Sequence, residues 1–196
     1  MSKTKRDLPD FLEEALAEET FDSSPVERLP ELFDGTTPGA GLSRLLSAVE
    51  APPLRYAPFI ARLSAFWDLP EAEIERLLDS SRSPTAWTKV SIRGVRVIEL
   101  AGGPRTTGLV SRLVRFEPGV RFPKHRHPGY EAVFVLEGSY TDSLGTFVGP
   151  GDLHEMHTGT EHGFVVGAEG PCIAATTQAG LEFTSPFLRL AQKLFG

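Results

Sequence analysis

GVRFPKHRHPGYEAVFVLEG, residues 119–138, joins a histidine-bearing arm to an apolar run across a Pro128-Gly129 turn. His125 and His127 are one residue apart, so on a strand both imidazoles lie on one face, about two residue rises from each other and close enough to share a small ion. Glu131, past the turn, can bring in a carboxylate, and YEAVFVLEG then reads as a short strand closed by Gly138.

The same pattern runs outward in both directions. TKVSIRGVRVIEL, residues 88–100, alternates apolar and polar residues about Gly94 and is read as one strand; GLVSRLVRFEP, residues 108–118, alternates again through Val110, Val114 and Phe116. Downstream, TFVGPGD, HGFVVGAEG and PCIAATTQ are further strands separated by Gly, Pro and Asp turns. Closely spaced strands with no amphipathic helix between them predict antiparallel sheets, hence a mainly β sandwich or barrel. SPFLRLAQKLFG predicts a closing helix over 184–196, capped by Ser185 and packing Phe187, Leu188, Leu190, Leu194 and Phe195.

All five histidines of the chain fall between residues 125 and 162, and none in the first 124. Clustering of this kind inside a sheet domain points to a metal site, for which His162, at the head of the strand GFVV, is the best placed fourth ligand beside His125, His127 and Glu131. Three imidazoles with one carboxylate favour one borderline divalent ion per chain, such as Zn, Fe, Mn, Ni or Co, over Ca or Mg. His154, His157 and Glu155 are read either as neighbours that orient the ligands and carry protons or as exposed turn residues, and Glu161 either as a general base or as solvated surface. The aromatic residues Phe116, Phe122, Tyr130, Phe134, Tyr140, Phe147 and Phe164 are assigned to the core in preference to a ligand-lined cavity. Cys172, in PCIAAT, reads as a packing residue, with a redox-sensitive thiol as the alternative if its pKa is low.

These residues also carry a resemblance. Gly119, His125, His127, Glu131 and Gly138 fall at each marker of the first cupin motif, and Gly151, Gly159 and His162 match the second, where His157 replaces the usual Pro and Val166 the usual Asn. The stretch from His125 to His162 resembles most the carboxy-terminal domain of ChrR-type anti-sigma factors. The resemblance implies a single six-to-eight-stranded cupin jelly roll over 88–180, with the metal on His125, His127, Glu131 and His162, zinc ahead of iron, manganese or nickel, and a part in the response to oxidants. It also implies pairing of barrels, so a homodimer is expected. Factors of that kind grip a sigma factor through an amino-terminal zinc domain of His and Cys ligands, which this chain lacks in its first 124 residues.

The amino-terminal part has a different character. Residues 1–34 hold four basic against ten acidic side chains, whereas residues 35–196 hold 16 of each, so the formal charge of −6 belongs to the tail. Residues 1–40, with a short helix over 8–20 and then a Pro/Gly/Ser-rich stretch, read as an acidic, loosely ordered tail. Residues 41–84 predict a helical extension of three short helices with apolar faces. These are Leu42, Leu45, Leu46 and Val49; Phe59, Ile60, Leu63, Phe66 and Trp67; and Ile74, Leu77 and Leu78, with Asp68 and Glu71 spaced as a capping pair for the third. Such faces serve for packing or for a protein partner.

The acidic balance gives no electrostatic footprint for nucleic acid, and no run of 18 apolar residues crosses a membrane. One cysteine and an acidic, non-apolar start place the chain in the cytoplasm as an expectation. Three functions follow from the sequence, the last of them a purely structural metal in a closed four-ligand site without which the chain does not fold. The first is a metal-binding regulatory or sensory cupin with a protein partner. The second is a small metal-dependent enzyme, a dioxygenase or isomerase, acting on a small molecule bound in the barrel.

Overall fold

A computed structural model describes residues 55–186 together with Ser43, Leu46 and Ser47. The chain divides into two units with the boundary after Pro84.

In the first unit a 3-10 turn, Ala57–Phe59, leads into helix α1, Ile60–Trp67, and then α2, Glu71–Ser80. Ile60, Leu63, Phe66 and Trp67 on α1 and Ile74 and Leu78 on α2 are buried, the three-and-four spacing that the sequence shows. Leu77 is only half-buried. Asp68 does not cap α2. It ends α1 in the left-handed conformation, φ 56°, which aspartate tolerates better than most side chains. Pro70 is the residue that precedes α2, its carbonyl accepting the Glu73 N–H at 2.8 Å, because a proline disfavours helical backbone at the residue before it. Ser43, Leu46 and Ser47 are helical and exposed, so Leu46 is not on a covered face. The segment 8–20, the rest of 42–50 and residues 187–196, with most of the expected closing helix, lie outside the described residues.

The second unit is a two-sheet β structure. Its strands are β1 (Thr88–Lys89), β2 (Val95–Leu100), β3 (Val110–Phe116), β4 (Arg121–Arg126), β5 (Glu131–Glu137), β6 (Tyr140–Asp142), β7 (Phe147–Val148), β8 (Leu153–Met156), β9 (Glu161–Val166), β10 (Cys172–Gln178) and β11 (Glu182–Phe183). One sheet has the order β1-β2-β3-β10-β5-β8 and the other β11-β4-β9-β6-β7, and every strand pairing is antiparallel. The architecture is the mainly β jelly roll expected from the sequence.

Residues 88–100 are not one strand. They fold back at Gly94, φ 80°, so that Thr88 pairs with Val97 and Lys89 with Arg96. A Cβ on Gly94 would stand 2.6 Å from Val120 Cγ2, which is why the alternation is interrupted by glycine at that point.

The core lies between the sheets. Val95, Val97, Val114, Phe116, Val133 and Val135 project from one sheet and Tyr140, Val148 and Val166 from the other, with Met156, Cys172 and Ala174 in the same cluster. β5 and β10 are buried over almost their whole length, which matches their runs of apolar and small residues, AVFVL and CIAATT. These central strands form the rigid frame beside which the histidine arm folds.

Candidate metal centre

The pairing of β4 with β9 brings the first two imidazoles together. His125 stands opposite His162, and Phe122 opposite Phe164, so three steps on β4 match two on β9. The extra residue is a bulge at Pro123-Lys124. Gly163 faces this bulge: a Cβ there would lie 3.0 Å from the Phe122 carbonyl oxygen and 3.2 Å from the Lys124 nitrogen. Absence of a side chain at 163 therefore permits the register that opposes His125 and His162.

His127 follows β4 and is tied to the turn before β9 by two backbone bonds, from its own N–H to Thr160 O, 3.0 Å, and to its carbonyl from the Gly159 N–H, 2.8 Å. Glu131 opens β5, and its Oε2 is 3.5 Å from His127 Nδ1. The ring centres of His125, His127 and His162 are 4.6 to 5.1 Å apart. Taking one donor atom from each of His125, His127, Glu131 and His162, all four lie within 4.8 Å of one another. All four residues are buried, His127 completely.

Burial dominates the electrostatics of this cluster. Burial pulls the pKa of each of His125, His127 and His162 down to about 4, with neighbouring imidazoles adding to the effect, so the rings are neutral donors at pH 7. Burial pushes Glu131 up to about 8, which leaves its carboxyl largely protonated at pH 7 without a compensating charge. Both ring nitrogens of His127 and of His162 are buried with no hydrogen-bond partner. Orphaned lone pairs cost free energy in a dry interior, and a divalent ion would satisfy them and ionise Glu131 together. His125 Nδ1 is 2.9 Å from the Pro123 carbonyl, a contact in which Nδ1–H donates and Nε2 keeps its lone pair for a cation. The residues present thus fit a borderline divalent metal.

Beside the cluster is a polar chain of which the sequence pointed only to His154, leaving Asp142 unmarked and Tyr140 assigned to the core. Tyr140 on β6 has its hydroxyl 2.9 Å from His154 Nδ1, and His154 Nε2 is 3.7 Å from Asp142 Oδ2. The same oxygen is 4.0 Å from His162 Nδ1. Burial lowers the His154 pKa, and the nearby Asp142 partly opposes that shift. Tyr140 is held un-ionised, chiefly by burial. The only sequence signal for Asp142 is the turn-like YTDSLG, which does not reveal that its carboxylate is buried.

The other expected participants are placed elsewhere. Glu155 accepts a hydrogen bond from the Tyr130 hydroxyl. His157 is exposed at the start of a turn, its carbonyl accepting the Thr160 N–H at 3.0 Å. Glu161 is exposed and pairs with Lys124, Oε2 to Nζ 3.0 Å. Phe122 and Phe164 stack at 4.8 Å, Phe116 meets both edge-on, and Phe122 contacts the His125 ring, so these aromatics wall the cluster on the core side. Phe147 departs from the core assignment and is 66% exposed, because Thr141 and Phe147 pair at the sheet edge with their side chains on the outer face. Cys172 is fully buried and its thiol is pushed up to about 12, mainly by burial, which is the environment of a packing residue and the opposite of a low-pKa thiol.

The family model of the ChrR cupin-like domain matches residues 80–180, just over half of the chain. The anti-sigma-E factor ChrR of Cereibacter sphaeroides is 34% identical over 112 residues, covering 53% of this chain and 52% of that protein. The chain thus spans about half the length of the curated relative that it matches. Among solved structures, a chain from Rhodobacter sphaeroides SigE in complex with the anti-sigma ChrR aligns at 23% identity and a TM-score of 0.47, over 76% of this chain and 73% of that one. An RmlC-like cupin protein of Ralstonia eutropha JMP134 aligns at 19% identity and a TM-score of 0.44, over 52% and 68%. Among the described residues no helix is long and apolar enough to cross a membrane.

Proposed function

The chain belongs to the ChrR cupin-like domain family, and we propose that it is a regulatory metalloprotein whose barrel holds one divalent ion, zinc in preference to iron, manganese or nickel, on His125, His127, Glu131 and His162. The observation that supports this most directly is the buried four-residue cluster with orphaned imidazole nitrogens inside a domain of that family. When bound, the ion supplies a fixed positive charge and a Lewis-acidic centre. His125 is oriented for it by the Pro123 carbonyl, while Phe116, Phe122 and Phe164 keep water from the core side.

The regulatory reading extends to a protein partner. The curated relative is named an anti-sigma-E factor, and the helices of residues 41–84 are the segment we assign to partner contact, with a sigma factor as the partner. Because residues 1–124 contain neither His nor Cys, that contact does not use a second zinc site in this part of the chain. The remaining domain assignments are a tail over 1–40, a barrel over 88–180 and a closing helix over 184–196, with the barrel pairing as a homodimer in the cytoplasm. A second reading, a small metal-dependent enzyme, draws on the Tyr140, His154 and Asp142 chain, which sets titratable groups next to the cluster.

Elemental analysis of protein purified without added metal or a histidine tag tests the proposal. About one zinc per chain in the wild type, lost in His125→Ala and His162→Ala, is expected. Copurification of a sigma factor with the full chain, abolished by deleting residues 41–84, supports the partner. About one iron per chain transfers the weight to oxygen chemistry, and metal-free, folded wild type refutes the site.

A further inference from the structure

Asp142 ends β6 and opens the hairpin to β7. Its backbone N–H donates to Thr146 O at 2.9 Å, and its carbonyl accepts the Gly145 N–H at 3.1 Å. Its Oδ1 accepts the backbone N–H groups of Leu144 and Thr146, both at 2.8 Å. These bonds account for an ordinary turn-forming aspartate, which needs one side-chain oxygen and tolerates water.

They do not account for the second oxygen. Asp142 is only 5% exposed, and with Oδ1 held by two N–H groups, Oδ2 is turned toward His154 Nε2 at 3.7 Å and His162 Nδ1 at 4.0 Å. A carboxylate placed between two imidazoles in a dry interior is a strong acceptor for a ring N–H. His162 lacks a hydrogen-bond partner on either nitrogen, unlike His125, which has the Pro123 carbonyl. A cation on one nitrogen of His162 would make the N–H on the other a stronger donor, and movement of about 1 Å closes the gap to hydrogen-bond length.

We propose that Asp142 is a positioning residue of the metal centre: through Oδ2 it takes the Nδ1–H of His162 and so directs the opposite ring nitrogen toward the ion, with His154 and Tyr140 bracing the carboxylate from the other side. The inference rests on the reading of His162 as a ligand. It makes the hairpin turn at Asp142 part of the site, because the turn that ends β6 also sets the angle of a ligand on β9.

Asp142→Asn separates the two tasks of the side chain. The amide oxygen can still accept from Leu144 and Thr146, but its NH2 group cannot accept from His162. Asp142→Ala removes both functions. Asp152→Asn is the control, since Asp152 Oδ2 accepts the Gly149 N–H at 2.8 Å in another turn.

The measurements are zinc affinity by competition with a chromophoric chelator, the visible spectrum of the cobalt-loaded protein, and thermal unfolding of the metal-free protein. For Asp142→Asn the expected result is a zinc affinity about 10- to 100-fold weaker, a shifted cobalt spectrum and metal-free unfolding close to wild type, with Asp152→Asn unchanged in affinity and spectrum. Wild-type affinity and spectrum in Asp142→Asn overturn the inference. So does an Asp142→Asn protein destabilised as much as Asp142→Ala, since the turn alone would then explain the loss. Wild type that takes up no zinc or cobalt overturns the metal reading itself, an outcome distinct from failure of the variant alone.

Discussion

Proton release on zinc binding reports whether the cluster is as dry as its geometry implies. In the metal-free protein burial holds His125, His127 and His162 near a pKa of 4 and Glu131 near 8. Binding requires neutral imidazoles and an ionised carboxylate, so the protons released are those the four groups carry beforehand. At pH 6 the imidazoles carry almost none and Glu131 carries nearly one, giving release of about one proton per zinc, and at pH 8 Glu131 is about half protonated, giving about half a proton. With unshifted values the result inverts: three histidines near 6.5 would release about two protons or slightly more at pH 6 and about a tenth of one at pH 8. The low-pH arm is the cleaner test, because it lies below the range of about 7 to 9 in which zinc-bound water ionises. Calorimetric titration in buffers of different ionisation enthalpy gives the proton count from the slope. Glu131→Gln brings the count at pH 6 close to zero. Two or more protons at pH 6, or an unchanged count in Glu131→Gln, refutes the argument from burial.

Linkage has a further consequence for the metal-free protein. Glu131, raised in the fold, contributes stability at low pH that is lost as pH rises from 4.5 through about 8, whereas the three lowered histidines cost stability as pH falls from 6.5 toward 4. Thermal unfolding should therefore be optimal near neutral pH and fall more steeply on the acid side, where three groups act against one; a monotonic profile contradicts it. Gly163→Ala should destabilise the fold by about 1–3 kcal/mol and weaken zinc binding, since its Cβ presses on the β4 bulge that opposes His125 to His162. Wild-type unfolding and affinity in that variant would show that the bulge does not set the register. Native Cys172 should remain unmodified by a thiol reagent at pH 8 and react after unfolding, as its burial and pKa of about 12 require. Rapid labelling of the folded protein would contradict that placement.

Much of this was legible in the chain because it is local. Alternation of side chains along a strand puts His125 and His127 on one face and marks most of the β elements, while helical spacing sets Leu63, Phe66, Trp67, Ile74 and Leu78 on apolar faces, which the fold buries. Where local signals competed, the reading failed. Asp68 and Glu71 have the spacing of a capping pair, but Pro70 shifts the start of α2 and leaves Asp68 to finish α1. Gly94 stands at the centre of a regular alternation, yet its backbone takes a φ of 80° and the segment folds back there into a hairpin, at a point where a side chain would meet Val120.

The residue types of the candidate metal site, their clustering between 125 and 162 and the sheet class were thus determined by the sequence alone, since strand period and ligand chemistry are properties of short segments. Tertiary structure decided the rest. It chose the β4–β9 register through a bulge opposite Gly163, buried Cys172, exposed His157, and turned the spare oxygen of Asp142 toward His154 and His162. Each of these depends on which distant strand pairs with which and on how much water the pairing excludes, and neither is encoded by the period of a single strand.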